Sequence, residues 1–144
     1  MTQDYYQDTA IRMCDSSTIL YKNKQWLNAC YLAGYVVECY GKRMVELAEE
    51  SEAFEGQAAR SFSHQIVDLN EYVKNIAVMG SPLSAYCQDL GVMCPVLLSG
   101  WNPFTIRYAS DSHEWNTEEI AEKIHKEIEM LAETIIQMQV DGVW

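Results

Sequence analysis

Between Gln25 and Glu49, apolar residues recur every three or four positions, at Trp26, Cys30, Ala33, Val37, Tyr40, Met44 and Leu47, with no proline among them. Such spacing is the core-facing stripe of an amphipathic helix, because residues three and four apart share one side of a 3.6-residue turn. A second segment runs from Asn116 through Ile120, Ile124, Ile128, Leu131, Ile135 and Met138, while Glu118, Glu122, Lys123, Lys126, Glu129 and Glu133 form its solvated face. Asn116 can cap this helix, with Glu119 three residues on reaching back to it. Two such helices in a chain of 144 residues leave room for one hydrophobic core and few ways to build it.

All three prolines, Pro82, Pro95 and Pro103, fall in a single stretch, so the regions on either side are free of helix breakers. A helix is predicted over Asp4 to Tyr21, with Ala10, Met13, Cys14 and Ile19 or Leu20 inward, turning at Lys22-Asn23-Lys24 into the long one. Another covers His64 to Met79, where Ile66, Leu69, Tyr72 or Val73 and Ile76 recur. Gly80-Ser81-Pro82 stops it and starts a short helix from Pro82 to Leu90. Ser51 to Ser63 and Cys94 to Trp115 read as irregular; a loop as long as the second is either functional or an unrecognised helix. No segment alternates long enough to demand a strand. The expectation is one all-α domain spanning residues 1–144, an up-and-down antiparallel bundle of four to five helices.

Charge narrows the partners. Twenty-one acidic residues against ten basic ones give a net charge of −11, which argues against wrapping long duplex nucleic acid, since neutralising phosphates takes clustered Lys and Arg. The five cysteines are odd in number, form no C-x-x-C pair and sit mostly in apolar runs, which reads as buried thiols in a reducing compartment. No stretch approaches the ~18 apolar residues of a membrane span, and no secretory signal is visible. A cytoplasmic protein without membrane contact is expected.

Motifs of nucleotide loops, zinc proteases and serine hydrolases are absent. His64, His113 and His125 are too far apart in sequence for the short spacing of a zinc site, so neither a metal nor a cofactor is expected. Three features remain. Glu38 lies in the apolar run Tyr35-Val36-Val37-Glu38-Cys39-Tyr40, four residues before Lys42. It is either an ordinary ion pair on a helix face or a polar spot that binds a ligand. Arg107 and His113 bracket Tyr108-Ala109-Ser110-Asp111-Ser112. In a metal-free ribonuclease an imidazole shuttles the ribose hydroxyl proton while a guanidinium neutralises the phosphate; the blander reading is a loop arginine holding a carboxylate. Trp101, Phe104, Tyr108 and Trp115 gather around that arginine, as a core lid, a dimer interface or a base-stacking surface. His64 reads as capping or beginning its helix.

The order Asn28-Ala29-Cys30-Tyr31-Leu32-Ala33-Gly34-Tyr35-Val36-Val37-Glu38-Cys39-Tyr40-Gly41-Lys42-Arg43 resembles the second helix of HEPN domains, the higher eukaryotes and prokaryotes nucleotide-binding family. Ser63-His64-Gln65-Ile66-Val67-Asp68-Leu69 is similar to the start of that family's third helix. Ile106-Arg107-Tyr108 is similar to its Arg-Tyr loop before the last helix. The resemblance spans residues 5–140 and implies an all-α bundle that dimerises. It also implies binding of nucleotide or RNA and, as in the family's ribonucleases, metal-independent cleavage in a defence or toxin–antitoxin setting. Arg107 and His113 would then be catalytic, and Glu38, Lys42, His64 and Tyr108 would contact ligand. Tyr108 stands where the ribonuclease members commonly carry Asn or another polar residue.

The alternative is a non-catalytic interaction module partnering a minimal nucleotidyltransferase, which the acidic charge favours. Lys42, Arg43, Arg60, Lys74 and Arg107 separate the two: convergence on one cleft favours RNA, and scatter favours protein docking.

Overall fold

The computed structural model describes residues 4–50 and 59–144, with the side chain of Arg60 also outside the description. Among the described residues the chain forms α1 (Tyr6–Lys22), α2 (Trp26–Glu50), α3 (Ile66–Val78), α4 (Leu90–Met93), α5 (Pro95–Gly100), α6 (Pro103–Arg107) and α7 (Glu118–Val140). Tight 3-10 turns occupy Ala59–Phe62 and Pro82–Tyr86, and no strand is present among these residues. The all-α bundle expected from the periodicity is therefore the fold, carried by the four long helices α1, α2, α3 and α7. No helix among the described residues is long and apolar enough to cross a membrane.

α2 is the central member, packed against α1, α3 and α7. Its apolar stripe is wider than sequence spacing requires: Val36, Val37, Cys39 and Tyr40 are all buried, as befits a helix surrounded on most sides. The turn into it is built locally. Asn23 Nδ2 donates to the Ile19 carbonyl at 2.8 Å, and Lys24 takes the left-handed conformation at φ 63°. Ser17 Oγ then donates to the Ala29 carbonyl at 2.8 Å and pins α1 to α2.

Several local expectations need correction. Cys94 to Trp115 is not a long loop, because Pro95 and Pro103 each open a short helix, α5 and α6. Proline suits the first helical turn, whose amides lack intrahelical partners. Those of α5 are served from a distance: Glu127, buried on α7, accepts Val96 N at 3.0 Å and Leu97 N at 3.1 Å. Pro82 to Leu90 is not one helix. It is a 3-10 turn followed by α4, whose cap Asp89 accepts from Gly91 N at 2.9 Å. Asn116 does not cap α7; Thr117 does, accepting from Ile120 N at 3.3 Å. Asn116 instead accepts from Leu27 N at 3.2 Å and donates to the Asp111 carbonyl at 2.8 Å, tying the last connection to the start of α2. On α1, Leu20 is half-buried and Ile19 exposed. Of the stretch expected to be irregular, residues 51–58 lie outside the described residues.

Candidate ligand site along the second helix

Tyr31, Tyr35, Glu38 and Lys42 follow one another at intervals of four, three and four residues on α2, so their side chains leave the same face of the helix. Glu38 and Lys42 are 5% and 6% exposed, and their charges meet at 3.5 Å. The pair is the ion pair read from the sequence, but it lies inside the molecule, and it is not alone. His64, just before α3, brings Nδ1 to 2.5 Å from Glu38 Oε1.

His64 was expected to cap or begin α3. The cap position is taken by Gln65, which makes no side-chain capping bond, and the imidazole turns to the α2 carboxylate. Around it stand ring edges: Phe104 at 5.2 Å, Tyr35 at 5.9 Å and Trp101 at 6.4 Å between centroids. Its side chain is 31% exposed and lines a recess of about 570 Å³ shared with Trp101, Asn102 and Phe104. Nε2 has no hydrogen-bond partner among the described residues.

The indole of Trp101 closes the inner wall of this site. It donates from Nε1 to the Tyr31 carbonyl at 3.0 Å and lies where a side chain at position 34 would be, since a Cβ on Gly34 would sit 1.9 Å from the ring. Glycine is required there for the approach.

At the other end of the stripe, Arg107 Nε donates to the Tyr31 hydroxyl at 3.1 Å, and Tyr31 shares a hydrogen bond with Tyr35 at 3.2 Å. Burial raises the Tyr31 phenol, but the bonds to Tyr35 and Arg107 outweigh it and bring it below its ordinary value. Burial and its bond with Tyr31 push Tyr35 up to about 12. Tyr108 is 81% exposed, with its ring centroid 6.0 Å from the Arg107 guanidinium carbon. Arg107 also lines a polar recess of about 380 Å³ with Lys24, Asn28, Asp111 and Asn116.

His113 does not line either recess. Its Nδ1 accepts the Trp115 amide at 3.0 Å, and its backbone amide and carbonyl close turns to Ser110 and Asn116. No hydrogen bond or ring contact among the described residues joins it to Arg107. The structure therefore brings Glu38, Lys42 and His64 together, links them through Tyr35 and Tyr31 to Arg107 and Tyr108, and places His113 in a separate turn.

The cations scatter. Lys42 is held by Glu38, Arg43 by Glu46 and Glu50, and Lys74 by Glu71, leaving Arg107 and Lys24 as the described pair sharing a recess. Burial pushes the Cys30, Cys39 and Cys94 thiols up to about 12, which favours their protonated form. Among the described residues no three His, Cys, Asp or Glu side chains gather as metal ligands.

No family model, curated protein or solved structure matches this chain. Chemistry must be read from the site alone. It holds an imidazole bonded to a buried carboxylate at one recess, a guanidinium at another, and on α6 the exposed ring of Phe104 one turn before that guanidinium. Sequence reasoning missed Tyr31, Tyr35 and Lys24 as members. The first two announced themselves only by their register with Glu38 and Lys42, a second stripe of polar-tipped side chains beside the apolar one.

Proposed function

We propose that this chain is a HEPN-like helical protein that dimerises, binds single-stranded RNA or a nucleotide along α6, and cleaves RNA without a metal. One observation carries the reading: a single turn of α6 presents Phe104 to His64 and Arg107 to Tyr31. A base can stack on Phe104, 60% exposed, or Tyr108, while Arg107 and Lys24 meet phosphate. Two phosphate contacts fit a chain of net charge −11 better than a long track would. Outside α6, the exposed apolar side chains of Val78, Val92 and Val140 leave surface for a second copy.

The test is fluorescence anisotropy with a short single-stranded RNA, together with cleavage of the same RNA in EDTA. Arg107→Ala should weaken binding roughly tenfold, the scale of a charge-assisted hydrogen bond. The logarithm of affinity should fall with that of salt at a shallow slope of about −1.4, for two phosphates on a single strand. Wild-type chain that shows no binding removes the reading, and a monomer by light scattering removes its dimer.

The scatter of Lys42, Arg43, Lys74 and Arg107 favours a second reading, a non-catalytic module that docks a minimal nucleotidyltransferase through its acidic faces. A chain inert to RNA that forms a salt-sensitive complex with such an enzyme would establish it.

A further inference from the structure

We infer that His64, oriented by Glu38, is the proton acceptor of the RNA cleavage proposed above, in place of His113. The inference rests on that reading and goes beyond it in naming the group that does the chemistry.

A general base needs three things: a ring nitrogen free to reach a hydroxyl, a partner that fixes the ring, and a space where the hydroxyl can sit. His64 has all three. Glu38 Oε1 holds Nδ1 at 2.5 Å, and Nε2 is unengaged among the described residues. The recess beside the ring is about 570 Å³ and is walled by Trp101 and Phe104. Glu38 is itself fixed, because Lys42 balances its second oxygen at 3.5 Å inside the core, so the carboxylate cannot swing away without leaving an ammonium unpaired. Tyr35, Trp101 and Phe104 flank the ring in T-shaped contacts. His113 lacks a carboxylate partner among the described residues and spends Nδ1 on the Trp115 amide.

In the step itself His64 Nε2 takes the proton of a ribose 2′-hydroxyl. The 2′-oxygen bonds to the adjacent phosphorus, the bond from phosphorus to the 5′-oxygen breaks, and that oxygen leaves with a proton from solvent water. The imidazolium then returns its proton to the hydroxide so formed. The products are a 2′,3′-cyclic phosphate and a 5′-hydroxyl, with no oxidant or co-reactant. Arg107, one turn along α6 from Phe104, holds the strand by a phosphate.

The experiment measures binding and EDTA-resistant cleavage of one fluorescent RNA by wild type, His64→Ala, His64→Gln and Glu38→Gln, with circular dichroism as the control for folding. Both His64 variants should bind RNA and lose at least about a hundredfold in rate, the scale of general base catalysis. Added imidazole should restore part of the rate to His64→Ala, a rescue that a merely structural role would not allow. Glu38→Gln should lower kcat with little change in KM. An RNA with a single 2′-deoxy nucleotide at the cut site should bind and stay whole. Wild type that does not bind RNA overturns both this inference and the function it rests on. Binding without cleavage overturns the inference and leaves binding standing. Cleavage that persists in His64→Gln overturns it too, and leaves the ribonuclease to other residues.

Discussion

Glu38 and Glu127 are the two buried carboxylates among the described residues, 5% and 7% exposed, one at the joint of α2 with α3 and the other at the joint of α7 with α5. Taking a carboxylate out of water costs the same in either place, and both are compensated. The difference lies in what compensates them. Glu127 is met by two backbone amides, Val96 and Leu97, groups that neither titrate nor move without unwinding α5. Glu38 is met by an ammonium and an imidazole, side chains of which one, His64, leaves a ring nitrogen without a partner among the described residues at a recess. Burial of a carboxylate is therefore no mark of function by itself; partners that can exchange protons with a ligand are.

The largest expected effect breaks the Glu38 side. Glu38→Ala leaves Lys42 buried and unpaired and should cost about 3–5 kcal/mol of stability in urea denaturation. Replacing the ion pair, Glu38→Leu with Lys42→Met, should recover most of that loss, because two apolar side chains need no compensation and His64, 31% exposed, keeps access to water. If the double variant is as unstable as the single, the pair is doing more than balancing charge. Next comes Glu127→Ala, which strands two amides at the start of α5 and should cost about 2–3 kcal/mol. RNA binding should hold, since Glu127 itself lines neither recess. Loss of binding in a folded Glu127→Ala chain would erase the distinction between the two carboxylates.

The two sides were not equally legible in the sequence. Long helices could be read because α2 and α7 keep a 3.6-residue apolar rhythm over many turns, and Glu38 stood out as a charge inside one. Its pairing with Lys42 followed from spacing within a single helix. Its pairing with His64 did not, because 26 residues of chain separate them and only the packing of α3 against α2 closes the gap. Arg107 was visible as a cation among aromatics, yet its acceptor Tyr31 is 76 residues away. The sequence suggested His113 as its companion by proximity along the chain, while the fold set His113 to building a turn. Glu127 was invisible for the same reason: its partners lie on α5, within a stretch that read as loop because short helices opened by proline leave no periodic trace.

A smaller effect sharpens the Glu38 side. Tyr31→Phe removes the acceptor of Arg107 at 3.1 Å and the link to Tyr35, while leaving the ring in place. RNA affinity should fall by about 1 kcal/mol, the net worth of one hydrogen bond, with the urea midpoint unchanged. A shift in stability rather than affinity would mean that Tyr31 serves the core and not the rim.

The smallest effect tests Glu127 through pH. Burial raises its carboxyl above the ordinary 4.5, against the two amides that lower it. The folded chain therefore binds this proton more tightly than the unfolded chain does. With the native state holding more protons, stability falls as pH rises through the raised value and is regained on acidification toward 4.5. Glu127→Gln has no such proton to bind, so the slope of stability with pH in that window should be flatter in the variant than in the wild type. A wild type that instead loses stability relative to the variant on acidification would mean that the amides outweigh burial. Glu127 would then be a carboxylate that α5 needs charged, and its role at that joint would be electrostatic as well as geometric.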